Sequence, residues 1–119
     1  MQYLLLLYHN ENEFRALSQE ERGTITQEYF TLIDELRRNG QNVGGNPLQA
    51  TSTAKTVRIR DQKPVVTDGP FAETKEQLGG YFLVDVPDEK AAAAIAARIP
   101  AARRGSVELR PIQPMPARE

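Results

Sequence analysis

The run Tyr3-Leu4-Leu5-Leu6-Leu7-Tyr8 is apolar at every position, without the alternation of a strand that keeps one face wet. It is too short for a buried helix and carries an aromatic at each end, so it predicts a β-strand apolar on both faces. Such a strand belongs inside a sheet, with cover above and below it. The polar, turn-prone His9-Asn10-Glu11-Asn12 ends it. The run is also far too short to span a bilayer. It lacks the basic leader and small-residue cleavage site of a signal peptide, so the chain is expected to begin at Met1 in the cytoplasm.

At 119 residues and 13.3 kDa the chain suits one domain with its own core. That domain is expected over residues 1–112, followed by an extended tail over 113–119. Cysteine is absent, which excludes disulfides, thiolate nucleophiles and thiolate metal sites. Fifteen basic residues against sixteen acidic ones leave a net charge of −1. That balance argues against a nucleic-acid or membrane partner, since such surfaces carry a basic excess.

Ser18 followed three residues on by Glu21 has the spacing of a capping box. Beyond it Ile25, Tyr29, Leu32, Ile33 and Leu36 form one apolar stripe at helical spacing. Arg37-Arg38 and then Asn39-Gly40 close the helix, which starts at Ser18 or at Thr24. Val43 to Pro47 reads as a short broken strand and Ala50 to Ala54 as an irregular edge. Thr56 to Arg60 and Pro64 to Thr67 alternate about a turn at Asp61-Gln62-Lys63, which predicts a hairpin. Ala72 to Gln77 can hold one helical turn. Leu78 to Val86 is a strand, with Phe82, Val84 and Val86 on one face and Tyr81 and Leu83 on the other. Asp88 caps an alanine-rich helix over Glu89 to Ile99, with Pro100 as its stop. Ser106 to Ile112 makes a last strand with Val107 and Leu109 inward.

With the hairpin set aside the order is β-α-β-β-α-β, the split βαβ plan of an α+β, ferredoxin-like fold. Two helices cover one face of a four-stranded sheet. The first strand and the Tyr81–Val86 strand carry apolar groups on both, and large exposed apolar patches are uncommon on a monomer. The simplest cover is a second copy stacked sheet to sheet about a two-fold axis, so a homodimer is expected.

The densest group of unusual residues is Asp68-Gly69-Pro70-Phe71-Ala72-Glu73-Thr74-Lys75-Glu76-Gln77-Leu78-Gly79-Gly80-Tyr81. This stretch resembles the signature of the DGPF-domain proteins, a branch of the YCII-related family. The first strand, Ala54 to Arg58, the Ile99-Pro100-Ala101 segment and Ser106 to Pro111 are similar to the family pattern as well. The resemblance implies a ferredoxin-like dimeric α+β barrel with a cleft near the dimer interface. It implies no settled activity. In related proteins a His and an Asp at that cleft form a suggested active site, and an extracytoplasmic-function sigma factor is an implied partner.

The resemblance makes Asp68 and His9 the candidate catalytic pair. Held on a Gly-Pro turn at a strand end, the Asp68 carboxylate can act as a general base or orient an imidazole. The commoner role for Asp at such a turn is to cap it through the Phe71 or Ala72 amide. His9, the one histidine, is a proton shuttle if it meets Asp68 and otherwise an exposed loop residue. Gly69, Pro70, Phe71, Gly79 and Gly80 are the candidate ligand-binding residues. For Phe71 the favoured role is an anchor of the loop in the core. Gly79-Gly80 reads equally as close ligand approach or as a β-bulge, and Gly44-Gly45 has the same two readings. Neither pair completes a dinucleotide or phosphate loop, and no metal-ligand spacing or cofactor motif is present. Three functions stay open: a small enzyme, a ligand sensor, and an interaction partner of a sigma factor.

Overall fold

The computed structural model describes residues 1–118. Strand β1 (Gln2–His9) pairs antiparallel with β5 (Gln77–Asp85) on one side and with β6 (Ser106–Pro111) on the other. Strand β2 (Asn42–Pro47) completes the sheet on the outer side of β5, giving the order β2-β5-β1-β6. This is the expected ferredoxin-like arrangement, with the both-sides-apolar β1 at an interior position.

Helix α2 (Gln19–Arg38) begins at Ser18, not Thr24, and both arms of the capping box form. At its other end Gly40 takes φ +69°. The Gln41 and Gly40 amides donate to the carbonyls of Leu36 and Arg37, the paired bonds of a left-handed helix stop. Helix α3 (Glu89–Ala96) is capped by Asp88, as its sequence predicts. It ends three residues before Ile99. Pro100 does not simply stop it but sits at the start of a further short helix, α4 (Ala101–Arg104). A second short helix, α1 (Glu11–Arg15), follows β1 where only a polar turn is expected from sequence. Its cap is Asn10, whose Oδ1 accepts from the Glu13 amide. Ala72 to Gln77 holds no helical turn, and the expected edge at Ala50–Ala54 is a 3-10 turn over Thr51–Thr53.

The core lies between one face of the sheet and the helices. Tyr3, Leu5, Leu7, Phe82 and Val84 meet Leu32 and Leu36 of α2 and Ala92, Ile95 and Ile99 from the α3 segment, with Val107 and Leu109 partly buried against them. Ala92 and Ala96 let α3 lie close to the sheet. Among the described residues no polar or charged side chain is buried. The opposite sheet face carries Leu4, Leu6, Tyr8, Leu78, Tyr81 and Leu83, all half-buried, with no helix of the chain over it.

Strands β3 (Lys55–Arg60) and β4 (Lys63–Asp68) form a separate two-stranded sheet. Its turn places Asp61 and Gln62 at φ 50° and 65°, the doubly left-handed turn that matches strand twist. Val57, Ile59 and Val66 share one face of this hairpin and are each 61% exposed. None of the described helices is longer and more apolar than a globular helix needs; none can cross a membrane.

Candidate functional site

A cavity of about 620 Å3 lies between α2 and the edge of the sheet formed by β2 and β5. Its existence follows from what the strands lack. On β2 and β5 the residues facing this space include Gly45, Gly79 and Gly80, so the chain offers backbone where a packed sheet would offer side chains. An added Cβ on Gly45 would stand 2.7 Å from the Tyr81 carbonyl oxygen, so only glycine allows the close strand approach there. The roof is the face of α2 that carries Ile25, Tyr29, Ile33 and Arg37, four residues apart along the helix. Phe14 of α1, Leu48 and Phe82 complete the apolar walls.

His9 stands at one end of this cavity. Its ring lies against Gly79, where an added Cβ would come within 2.3 Å of Cε1, and the Phe14 ring stands tilted beside it at 5.1 Å between centroids. The imidazole is therefore held between a glycine and an aromatic. Gly79 is the extra residue of a β-bulge: Leu7 pairs with Gly80 and Tyr8 with Leu78, leaving Gly79 opposite no partner. The bulge and the close approach, alternatives in the sequence, are here one feature.

Beside His9, Glu11 faces the cavity, but its carboxylate is already engaged. The Thr51 amide donates to one oxygen and the Thr51 hydroxyl to the other, both at 2.8 Å. The Glu11 amide in turn donates to Gln77 Oε1 at 3.0 Å. This group fastens α1 to the 3-10 turn and to the start of β5. Tyr29 remains a neutral phenol at neutral pH: burial pushes its pKa up, against a smaller opposing influence of the Ala101 backbone. Among the described residues no cluster of His, Asp and Glu could hold a metal ion.

The structure does not bring Asp68 to His9 within the chain. Asp68 ends β4 on the hairpin, its side chain 88% exposed and paired with Lys55 across the ladder. The carboxylate neither caps the following turn nor orients the histidine. Gly69 has φ +95°, its amide donates to Ala54 and its carbonyl accepts from the Thr56 hydroxyl, so the turn is held by the hairpin. Phe71, expected as a core anchor, is 82% exposed. Of the seven residues singled out in the sequence, His9, Gly79 and Gly80 line the cavity, while Asp68, Gly69, Pro70 and Phe71 lie outside its described lining. The α2 stripe and Gly45 were visible in the sequence as core and as an ambiguous glycine. Nothing in their spacing announces that the two face each other across a void.

A family model described as the YCII-related domain matches residues 1–116. The chain belongs to the YCII-related family. An uncharacterised protein of Rhizobium meliloti (strain 1021) is 33% identical over 114 residues, covering 94% of this chain and 92% of that protein. This YCII-related chain thus matches a relative of similar length over nearly its whole sequence, and that relative carries no stated activity.

Proposed function

We propose that this YCII-related protein binds a small organic molecule in the cavity between α2 and the glycine-bearing edge of its sheet, and that it works as a homodimer. The observation that carries the reading is the imidazole of His9, held against Gly79 at one end of an apolar space of about 620 Å3. That volume lies in the range of small-molecule sites, and a mostly apolar wall with few convergent polar groups is their usual construction. Non-catalytic binding is favoured over acid–base chemistry. His9 is the proton-transfer group at hand, yet the nearby Glu11 carboxylate is occupied by Thr51, and Asp68 is paired with Lys55. An imidazole with no carboxylate to set its tautomer is a poor general base but a sound hydrogen-bonding partner. The dimer reading rests on the half-buried Leu4, Leu6, Leu83 face, which no helix of the chain covers.

A thermal-shift screen against a metabolite library tests the cavity. A stabilising compound is expected whose effect disappears in Ile33→Trp, which fills the space, and persists in Asp68→Ala. Stabilisation lost in Asp68→Ala but kept in Ile33→Trp would move the site to the hairpin loop and overturn this reading.

A further inference from the structure

The charges facing the cavity are unbalanced. Arg15, Arg37 and Arg104 line it against the single carboxylate of Glu11, whose two oxygens are both engaged by Thr51. The three cations differ in what they already do. Arg104 stands 3.8 Å from Glu21, and Arg15 donates to the side-chain oxygen of Asn12. Arg37 has no carboxylate partner among the described residues. It sits in the last turn of α2, beside the first residue of β2, Asn42, whose half-buried side chain also faces the cavity.

The cavity is long. Its floor runs along β2 from Asn42 to Pro47, about 17 Å at the rise of a strand. Its roof runs from Ile25 to Arg37, about 18 Å at the rise of a helix. Between these ends the walls are Ile33, Phe30, Tyr29 and Phe82. One end therefore offers a guanidinium and a carboxamide, both hydrogen-bond donors suited to an oxyanion. The middle offers mostly apolar and aromatic surface, and the far end offers His9 beside Glu11 and Arg15, whose side chains are already engaged by Thr51 and Asn12.

Resting on the small-molecule reading above, we infer that the ligand is an amphipathic organic anion. Its carboxylate or equivalent oxyanion meets Arg37 and Asn42, and its extended apolar body lies under α2 toward His9. A neutral apolar molecule would fill the same walls but make no ion pair with Arg37, whose exposed guanidinium would keep only its water. A cation would face an arginine excess. Charge complementarity thus selects the anion.

Displacement of Nile red, a neutral dye, from the full chain separates the possibilities, with decanoate and decanol as probes of equal length and different charge. Decanoate is expected to displace the dye at least about tenfold more effectively than decanol, the scale of a hydrogen bond to a charged group. Arg37→Gln is expected to erase that preference while leaving decanol unchanged. Arg37→Lys should restore part of it, and Arg38→Gln, outside the cavity, should leave it intact. Equal displacement by the two probes overturns the anion and leaves the cavity reading standing. A preference for decanoate that survives Arg37→Gln overturns the assigned head site. If neither probe displaces the dye and Ile33→Trp leaves dye binding unchanged, the cavity reading itself falls, and this inference with it.

Discussion

At Gly79 a Cβ would stand 2.3 Å from Cε1 and 2.8 Å from Nδ1 of His9, closer than real side chains approach. Gly79→Ala therefore forces the imidazole from its place or opens the bulge. We expect a loss of about 1–3 kcal/mol in unfolding free energy, the scale of overpacking. The expectation carries its own control. Removing the ring as well, in the Gly79→Ala/His9→Ala double variant, should recover most of the loss, and a double-mutant cycle on chemical denaturation measures the coupling. Losses that simply add would show that the ring and the glycine are energetically independent. At this scale the sequence was half legible. Gly79 and Gly80 stood out because paired glycines at a strand start need a reason. Asp68 stood out for its Gly-Pro turn, yet a turn's chemistry does not say which way the hairpin carrying it points. Phe71 shows the same limit: an aromatic beside a turn reads as an anchor, but this one sits on a loop that follows the hairpin into solvent.

Among the elements, α2 was the most legible, because its cap, stripe and stop are all local. The Ser18–Glu21 box also links the helix to pH. The Ser18 amide, donating to Glu21, holds its carboxyl below the ordinary glutamate value of 4.5. A carboxyl whose pKa is lower in the folded state adds stability above its unfolded value and loses it as pH falls through the folded value. Part of the acid destabilisation below pH 4.5 thus belongs to this helix start. Glu21→Gln keeps a hydrogen-bonding side chain but cannot titrate, so its melting temperature should fall less than wild type's between neutral pH and about pH 3. A parallel decline in both proteins would remove Glu21 from the account. Helices α1 and α4 were not legible. Each is five residues or fewer, too short for the helical period to repeat, and each is held by tertiary contacts such as Glu11 to Thr51 and Arg103 to Glu28.

For the whole molecule, topology followed from the order of elements and from β1, whose two apolar faces demand an interior place and a double cover. Only one cover is present in the chain. Light scattering is expected to return twice the 13.3 kDa chain mass, and Leu6→Lys or Leu83→Lys to return the chain mass alone. A wild-type protein at 13.3 kDa would mean the outer face stays wet. The cavity, by contrast, was invisible in outline, because a void is a property of two surfaces that fail to touch and each surface alone reads as ordinary core.

The extra residue on β5 also decides which surface the preceding segment serves. In an unbroken ladder His9 would oppose Leu78, and Leu78 would turn toward the helices. With one residue looped out, His9 opposes Gln77 instead, and Leu78 opposes Tyr8. The shift sends a polar amide to the α1 amide at Glu11 and hands a leucine to the uncovered side. One inserted glycine thus sorts its upstream neighbours, polar toward helix α1 and greasy toward the sheet face that no helix covers.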